Sequence, residues 1–233
     1  MKNYYKIFRN QLKWKYQKKA VSKNFYQLLI KGKEVTINKR KWLDLNKPDW
    51  FNEYDINKIE TRILIYEDQV NGWFLDVAKK LMKDKNNDLV VLQIAISYIE
   101  GNQQYREGKP SRNSSKKCFI RGFRRIFKIS NNIISEKRLE HFYDQVRCGL
   151  FHDGMIKKDV VVSRDFDAAL YLRETGTKER TILINPCKFL GIISQDFYKY
   201  IKELKSGNKE SISNFEKYTL EKYKTFDFAQ KDS

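Results

Sequence analysis

The sequence predicts a mainly α-helical bundle with a small β-hairpin and a basic amino-terminal appendage. Long stretches repeat apolar residues at the helical period, one later region clusters β-branched residues, and positive charge concentrates at the start of the chain. A chain of 233 residues is also long enough to bury a sizeable core. We therefore expect a basic, aromatic-rich segment over residues 1–54 and a helical domain over residues 55–233.

The amino-terminal segment carries most of the net charge. Residues 1–41 hold 13 lysines and arginines against one acid, Glu34, and so contribute +12 of the formal +18. We predict a helix over residues 2–20 and a short hairpin formed by residues 25–30 and 35–37. Aromatic side chains between the lysines suit stacking on unpaired bases, with packing in a core as the alternative. The lysines predicted to contact RNA are Lys13, Lys15, Lys18 and Lys19.

The overall charge and the cysteine pattern narrow the class of protein. A charge of +18 exceeds what solubility requires and indicates a polyanionic partner, with nucleic acid as the first candidate. The longest apolar run, residues 89–99, is too short to cross a bilayer, and the start of the chain lacks the apolar stretch of a secretory signal. Three widely spaced cysteines predict neither a disulfide framework nor a zinc site. We expect a cytoplasmic protein with no membrane partner, no metal and no cofactor.

Two long helices should form the spine of the helical domain. Asp55 is predicted to cap the first, which runs to about residue 81 with Gly72 as a kink or close-packing site. The second, over residues 89–100, is almost wholly apolar, so it should be central and should stop at Gly101. The Gly-, Gln- and Ser-rich residues 101–115 predict an exposed loop.

A second basic patch is predicted on the helix that begins near Ser114 or Ser115 and ends at Lys128. Its apolar side chains fall on one side of the helix and its cations largely on another. Such a run of charge is typical either of a solvated helix face or of a nucleic-acid-binding surface, and the pattern leaves both open. The predicted RNA-binding residues of this patch are Arg121, Arg124, Arg125 and Lys128.

The most informative feature is an arginine followed, after four intervening residues, by one of only two histidines in the chain, Arg147 and His152. Ser135 is predicted to cap the helix that carries them. At about 100° per residue, His152 should point away from the buried side and Arg147 should lie on its flank. Cys148 and Gly149, which are small, are expected to let a partner helix approach. The predicted buried stripe comprises Leu139, Phe142, Val146 and Leu150.

The region after the motif changes character. Residues 160–162, 170–172 and 181–184 are predicted to be short strands. Asn185 is a predicted cap, and the proline that follows it suits the first position of a helix that ends near residue 204. A final amphipathic helix is expected after Gly207.

The order of helices and the motif Arg147-Cys-Gly-Leu-Phe-His152 resemble the HEPN superfamily (higher eukaryotes and prokaryotes nucleotide-binding) over residues 55–205. The resemblance implies a helical bundle that dimerises and cleaves RNA without a metal, often in toxin–antitoxin or antiviral systems with an antitoxin or sensor as partner. Arg147 and His152 match the family's catalytic pair. Cys148 stands where members often carry a polar residue such as asparagine, and Gly154 where toxins paired with nucleotidyltransferase antitoxins tend to carry tyrosine.

The predicted chemistry assigns a role to each residue type. Imidazole exchanges protons near neutral pH, so His152 suits a general base or acid, and the guanidinium of Arg147 suits stabilisation of the transition-state phosphate. Glu100, Cys148 and Asp153 are the candidate supporting residues. The alternatives are a non-catalytic nucleic-acid-binding or adaptor protein that dimerises through the same helix, and a structural interaction domain whose charge reflects composition alone.

Overall fold

A computed structural model describes residues 58–130, 134–174 and 180–224, together with the backbone of a short hairpin. In the hairpin, β1 (Val35–Ile37) pairs antiparallel with β2 (Arg40–Trp42), so that Val35 lies opposite Trp42. The sequence predicted β1 but not β2 as its partner. The predicted strand over residues 25–30 and the predicted helix over residues 2–20 lie outside the described residues.

The chain divides into two compact units. One comprises Met1–Trp73 and Thr219–Ser233, and the other is Phe74–Tyr218, which contains every residue of the motif. The boundary that the sequence places after residue 54 stays a prediction.

The first long helix is interrupted where the sequence predicted a kink. Helix α1 (Ile59–Val70) passes through a π-helical segment, Asn71–Leu75, into α2 (Asp76–Leu81). Gly72 lies in the π-helical segment. The predicted start after Asp55 is wrong, because Lys58 has extended backbone angles and occupies the N-cap position of α1.

Helix α3 (Asp88–Glu107) is the central element, as predicted, but it runs seven residues beyond its predicted end. Gly101 does not stop it, and the exposed loop predicted over residues 101–115 is confined to residues 108–114. Asn102 and Tyr105 are only 1% and 6% exposed, so burial of the turn that follows Gly101 outweighs the helix-breaking tendency of one glycine. The helix ends at Gly108, whose φ of 66° is the left-handed conformation that favours glycine.

Helix α4 (Ser115–Phe127) follows a single 3-10 turn and begins where the sequence predicted. It packs closely against α3, because a Cβ atom added to Gly122 would lie 2.9 Å from the carbonyl oxygen of Ile99. The aromatic side chains of α4 enter the core, where Phe123 lies 4.7 Å, ring centre to ring centre, from Phe142.

The motif lies on a helix that changes its winding. Helix α5 (Glu136–Phe142) is capped by Ser135, whose hydroxyl accepts a hydrogen bond from the backbone N–H of Arg138 at 3.3 Å, as predicted. The chain then continues as a π-helix over Tyr143–Asp153, here called the motif π-helix. The predicted buried stripe is confirmed in full at Leu139, Phe142, Val146 and Leu150.

A small three-stranded sheet follows. Strands β4 (Leu170–Glu174) and β5 (Arg180–Ile184) form the predicted hairpin, and β3 (Val160–Val162) adds to β5 in parallel, which gives the order β3-β5-β4. All three predicted strands are therefore present, and the sheet has one strand more than the predicted hairpin.

Two helices complete the described chain. Asn185 caps α6 (Pro186–Lys205) by accepting a hydrogen bond from the backbone N–H of Lys188 at 3.0 Å, and α7 is Lys209–Lys224. Helix α6 packs against α3 and α4. Within the described ranges, no helix is both long enough and apolar enough to traverse a bilayer.

Candidate functional site beside the motif helix

The winding of the motif π-helix bears on the relative direction of Arg147 and His152. The N–H of Gly154 donates to the carbonyl of Gly149, five residues earlier, as π-helical hydrogen bonding requires. A π-helix has about 4.4 residues per turn, so residues five apart differ in direction by about 50°, compared with about 140° in an α-helix. The predicted regular α-helical winding is therefore wrong here, and ideal π-helical geometry would turn the two motif side chains toward one side of the helix, about one turn apart.

Arg147 is held by groups from two helices. Its Nη2 lies 3.4 Å from Oε2 of Glu100, which belongs to α3. Its guanidinium carbon lies 4.9 Å from the ring centre of Phe151 and 5.4 Å from that of Tyr143. Burial raises the pKa of Tyr143, so its phenol stays neutral and the ring acts only as a face for the cation. These contacts confine the guanidinium to one region of the surface.

Glu100 links the motif to the turn that precedes α4. Its Oε1 accepts a hydrogen bond from the hydroxyl of Ser111 at 2.8 Å, while Oε2 faces Arg147. The sequence placed Glu100 at the end of a helix. Because α3 continues past Gly101, Glu100 instead lies within the helix and is mostly buried.

A groove of about 260 Å³ lies between α3 and the motif π-helix. A hydrogen bond of 3.3 Å from the side-chain amide of Gln93 to the carbonyl of Leu150 ties the two helices together at the same side. Phe151 supplies an aromatic wall and is 40% exposed. The groove is lined by Ile96, Ser97, Glu100, Gly101, Gln104, Arg147 and Phe151.

His152 and Asp153 lie at the exposed end of the motif π-helix. In the described part of the chain, no hydrogen bond or ion pair engages the His152 side chain, which leaves its imidazole open to solvent. Asp153 forms an exposed ion pair with Lys157, at 3.8 Å. Cys148 is a half-buried free thiol. Of the three predicted supporting residues, only Glu100 contacts Arg147 among the described contacts.

The space beside Gly149 is occupied by the segment of the chain that follows the motif π-helix. A Cβ atom at this position would lie 2.5 Å from the carbonyl oxygen of Met155, and the N–H of Met155 donates to the carbonyl of Gly149 at 3.2 Å. A second bond, from the N–H of Lys157 to the carbonyl of Gln145 at 3.2 Å, holds the returning segment along the helix. The expectation that Gly149 admits a partner helix is therefore corrected.

The arginines of the predicted basic patch on α4 bind the protein itself. Arg125 forms an ion pair with Asp196 of α6, and Arg124 donates to the backbone carbonyls of Ser130 and Ile134. Arg121 donates two hydrogen bonds to Glu107, at 2.6 and 2.7 Å, and these lower the pKa of the Glu107 carboxyl. Arg124 and Arg125 thus stabilise the fold, and Arg121 is half exposed. Lys128 is exposed at the end of α4, and Lys13, Lys15, Lys18 and Lys19 lie outside the described residues.

Sequence reasoning missed two residues of the site, Phe151 and Ser111. Phe151 follows Arg147 by four residues, and that spacing is the signal by which it could have been found. Ser111 lies eleven residues from Glu100 in a segment predicted to be a loop, and no local pattern indicates their hydrogen bond.

Among the residues that the structure describes, no group of three or more His, Cys, Asp or Glu side chains is arranged to hold a metal ion. No protein-family model matches the chain, and comparisons with curated proteins and with solved structures gave no match.

Proposed function

We propose that the protein is a metal-independent endoribonuclease that acts as a homodimer. The observation that carries this proposal is the π-helical winding, whose ideal geometry would turn Arg147 and His152 toward one side, together with the position of Arg147 beside a groove and the exposure of His152. The net charge of +18 supports a polyanionic substrate. The resemblance of the motif to the HEPN superfamily supports RNA and a role in a toxin or antiviral system, restrained by an antitoxin or sensor.

The proposed reaction is transfer of the phosphodiester to the neighbouring 2′-hydroxyl. The 2′-oxygen forms a bond to phosphorus as a base removes its proton, and the bond to the 5′-oxygen breaks as an acid protonates that oxygen. The products are a 2′,3′-cyclic phosphate and a 5′-hydroxyl end. His152 of one protomer supplies one of these proton transfers, and His152 of the second protomer supplies the other.

Arg147 stabilises the charge that develops on the phosphate. A guanidinium has five N–H donors in a planar fork, and Glu100 engages one side of it, so donors remain for two phosphate oxygens. Glu100 acts as a positioning residue, because it holds the fork in one orientation before RNA binds.

The test is cleavage of labelled RNA by the purified protein in EDTA. We expect His152→Ala and Arg147→Ala each to reduce the rate about 100-fold or more, as is usual for a lost acid–base or charge-stabilising group. His141→Gln is the matched control, since it replaces the other histidine, which lies 3.1 Å from Asp159. Equal cleavage by the wild type and both motif variants, or no cleavage at all, would reject the proposal. Light scattering of the same samples measures the dimer.

Two observations favour a second candidate, a non-catalytic nucleic-acid-binding or adaptor protein. The charge of Arg147 is already partnered by Glu100, and no described residue orients the His152 imidazole. This candidate predicts RNA binding that survives both motif substitutions, falls steeply with salt and yields no cleavage products.

A further inference from the structure

The groove beside Arg147 has the dimensions and chemistry of a pocket for one nucleobase. We propose that it binds a guanine base of the RNA, with Glu100 as the group that selects guanine and Phe151 as the stacking surface. This inference rests on the proposed function in taking RNA as the ligand, and it adds base selectivity to the same site.

The size and the wall of the groove favour one planar ring system. Its volume of about 260 Å³ lies just below the range of roughly 300–1,000 Å³ typical of small-molecule pockets. Phe151 is exposed enough to offer a face, and base–aromatic stacking accepts any base. Gly101 lines the same groove and has no atom within 4 Å of where its Cβ would be, so this part of the groove is open.

The hydrogen-bonding state of Glu100 supplies the selectivity. A carboxylate has about four acceptor sites, two on each oxygen. In Glu100, Oε1 uses one for the Ser111 hydroxyl and Oε2 uses one for Arg147, so each oxygen retains one. The side chain therefore offers a pair of acceptors, held in a fixed orientation by two partners from different segments.

Guanine is the base that matches a pair of acceptors. Its Watson–Crick edge carries two adjacent N–H donors, at N1 and at the 2-amino group, whereas the single donors of adenine and cytosine lie beside ring acceptors. In uracil, the one N–H lies between two carbonyl oxygens, which a carboxylate repels. Arg147 remains available to the phosphate on the adjacent sugar.

The two neutral polar side chains of the groove, Ser97 and Gln104, are engaged within the protein. The hydroxyl of Ser97 donates to the carbonyl of Ile94 at 2.7 Å. The amide oxygen of Gln104 accepts hydrogen bonds from the N–H of Ser111 at 3.0 Å and from the hydroxyl of Tyr218 at 3.1 Å. Its amide nitrogen donates to the backbone carbonyl of Glu100. Gln104 thus shapes the wall, and selection falls to the carboxylate.

The direct test is titration of the full-length protein with GMP, IMP and AMP, followed by NMR or calorimetry. IMP lacks only the 2-amino group of GMP. We expect GMP to bind at least about tenfold more tightly than IMP, because losing a hydrogen bond to a charged group has an effect of that order. Glu100→Gln should abolish this preference, and Phe151→Ala should weaken all three ligands by similar factors. Tyr171→Ala, which removes an exposed aromatic of β4, is the control and should change nothing.

Several outcomes overturn the inference. The inference is wrong if GMP and IMP bind equally or if no nucleotide binds. It is also wrong if the preference for GMP survives Glu100→Gln in a variant whose circular dichroism matches that of the wild type. Absence of binding is also the result expected if a second copy of the chain fills the groove.

Mapping the cleavage sites in RNA separates this inference from the proposed nuclease activity. Selective GMP binding without RNA cleavage would refute the nuclease and retain the base pocket. Cleavage that shows no preference for guanine-adjacent bonds would refute the pocket and retain the nuclease.

Discussion

Gly149 determines how the chain can turn back after the motif π-helix. The carbonyl of Met155 occupies the space that a side chain at position 149 would need, at 2.5 Å from the Cβ position. A backbone atom cannot move aside as the end of a flexible side chain can, and Met155 is further held by its bond to the Gly149 carbonyl. Position 149 therefore requires glycine for the chain to make this turn, which directly follows His152.

We predict that Gly149→Ala lowers the free energy of unfolding by about 1–3 kcal/mol, the usual effect of overpacking. Gly191→Ala is the matched control, because Gly191 is also helical but has no atom within 4 Å of its Cβ position. The control should raise stability by up to about 1 kcal/mol through better helix propensity. Urea denaturation measures both. Equal changes in the two variants would show that the turn at Met155 yields to the added methyl group.

At the scale of single elements, a helix boundary was predictable where its signal is local. Ser135 and Asn185 cap their helices through hydrogen bonds to residues three positions ahead, so the signal is local. Glycine is a residue type that often ends a helix, yet α3 continues past Gly101 because Asn102 and Tyr105 are buried by distant segments. Periodicity also could not reveal the π-helix, because the buried stripe of the motif fits α-helical spacing as well.

The cap of the motif helix has a measurable consequence. Ser135→Ala removes the side-chain acceptor for the Arg138 N–H and leaves only the Ser135 carbonyl, at 3.1 Å, so we expect it to lower the free energy of unfolding by about 0.5–1 kcal/mol. Ser114→Ala is the control, since Ser114 occupies the same position before α4 but its hydroxyl makes no capping hydrogen bond and donates instead to the exposed carbonyl of Ser111 at 2.6 Å. The control should change stability by less than half as much. Chemical denaturation of both variants measures the two changes in the free energy of unfolding. A larger loss of stability in Ser114→Ala would contradict the assignment of Ser135 as the cap.

At the scale of the whole molecule, the candidate site depends on contacts between residues far apart in sequence. Arg147 and Glu100 are 47 positions apart, and both were candidates because each residue type suits the predicted chemistry. Their contact, and the addition of Ser111 to it, required the packing of α3 against the motif π-helix. The basic patch on α4 shows the converse: its charges were visible in the sequence, but their acidic partners on α3 and α6 were not.

Since Arg124 and Arg125 are engaged within the fold, we expect the amino-terminal lysines to supply a large part of the RNA affinity. Replacing four of them by glutamine should make the slope of log K against log salt less steep by up to about 3, at about 0.7 per phosphate contact with single-stranded RNA. The control removes four exposed lysines from described helices and turns, so both variants have the same net charge. Equal slopes in the two variants would show that charge acts as a diffuse field, without specific amino-terminal contacts. Filter binding to one RNA at several KCl concentrations measures the slopes. The first set comprises Lys13, Lys15, Lys18 and Lys19, and the control set comprises Lys83, Lys85, Lys199 and Lys202.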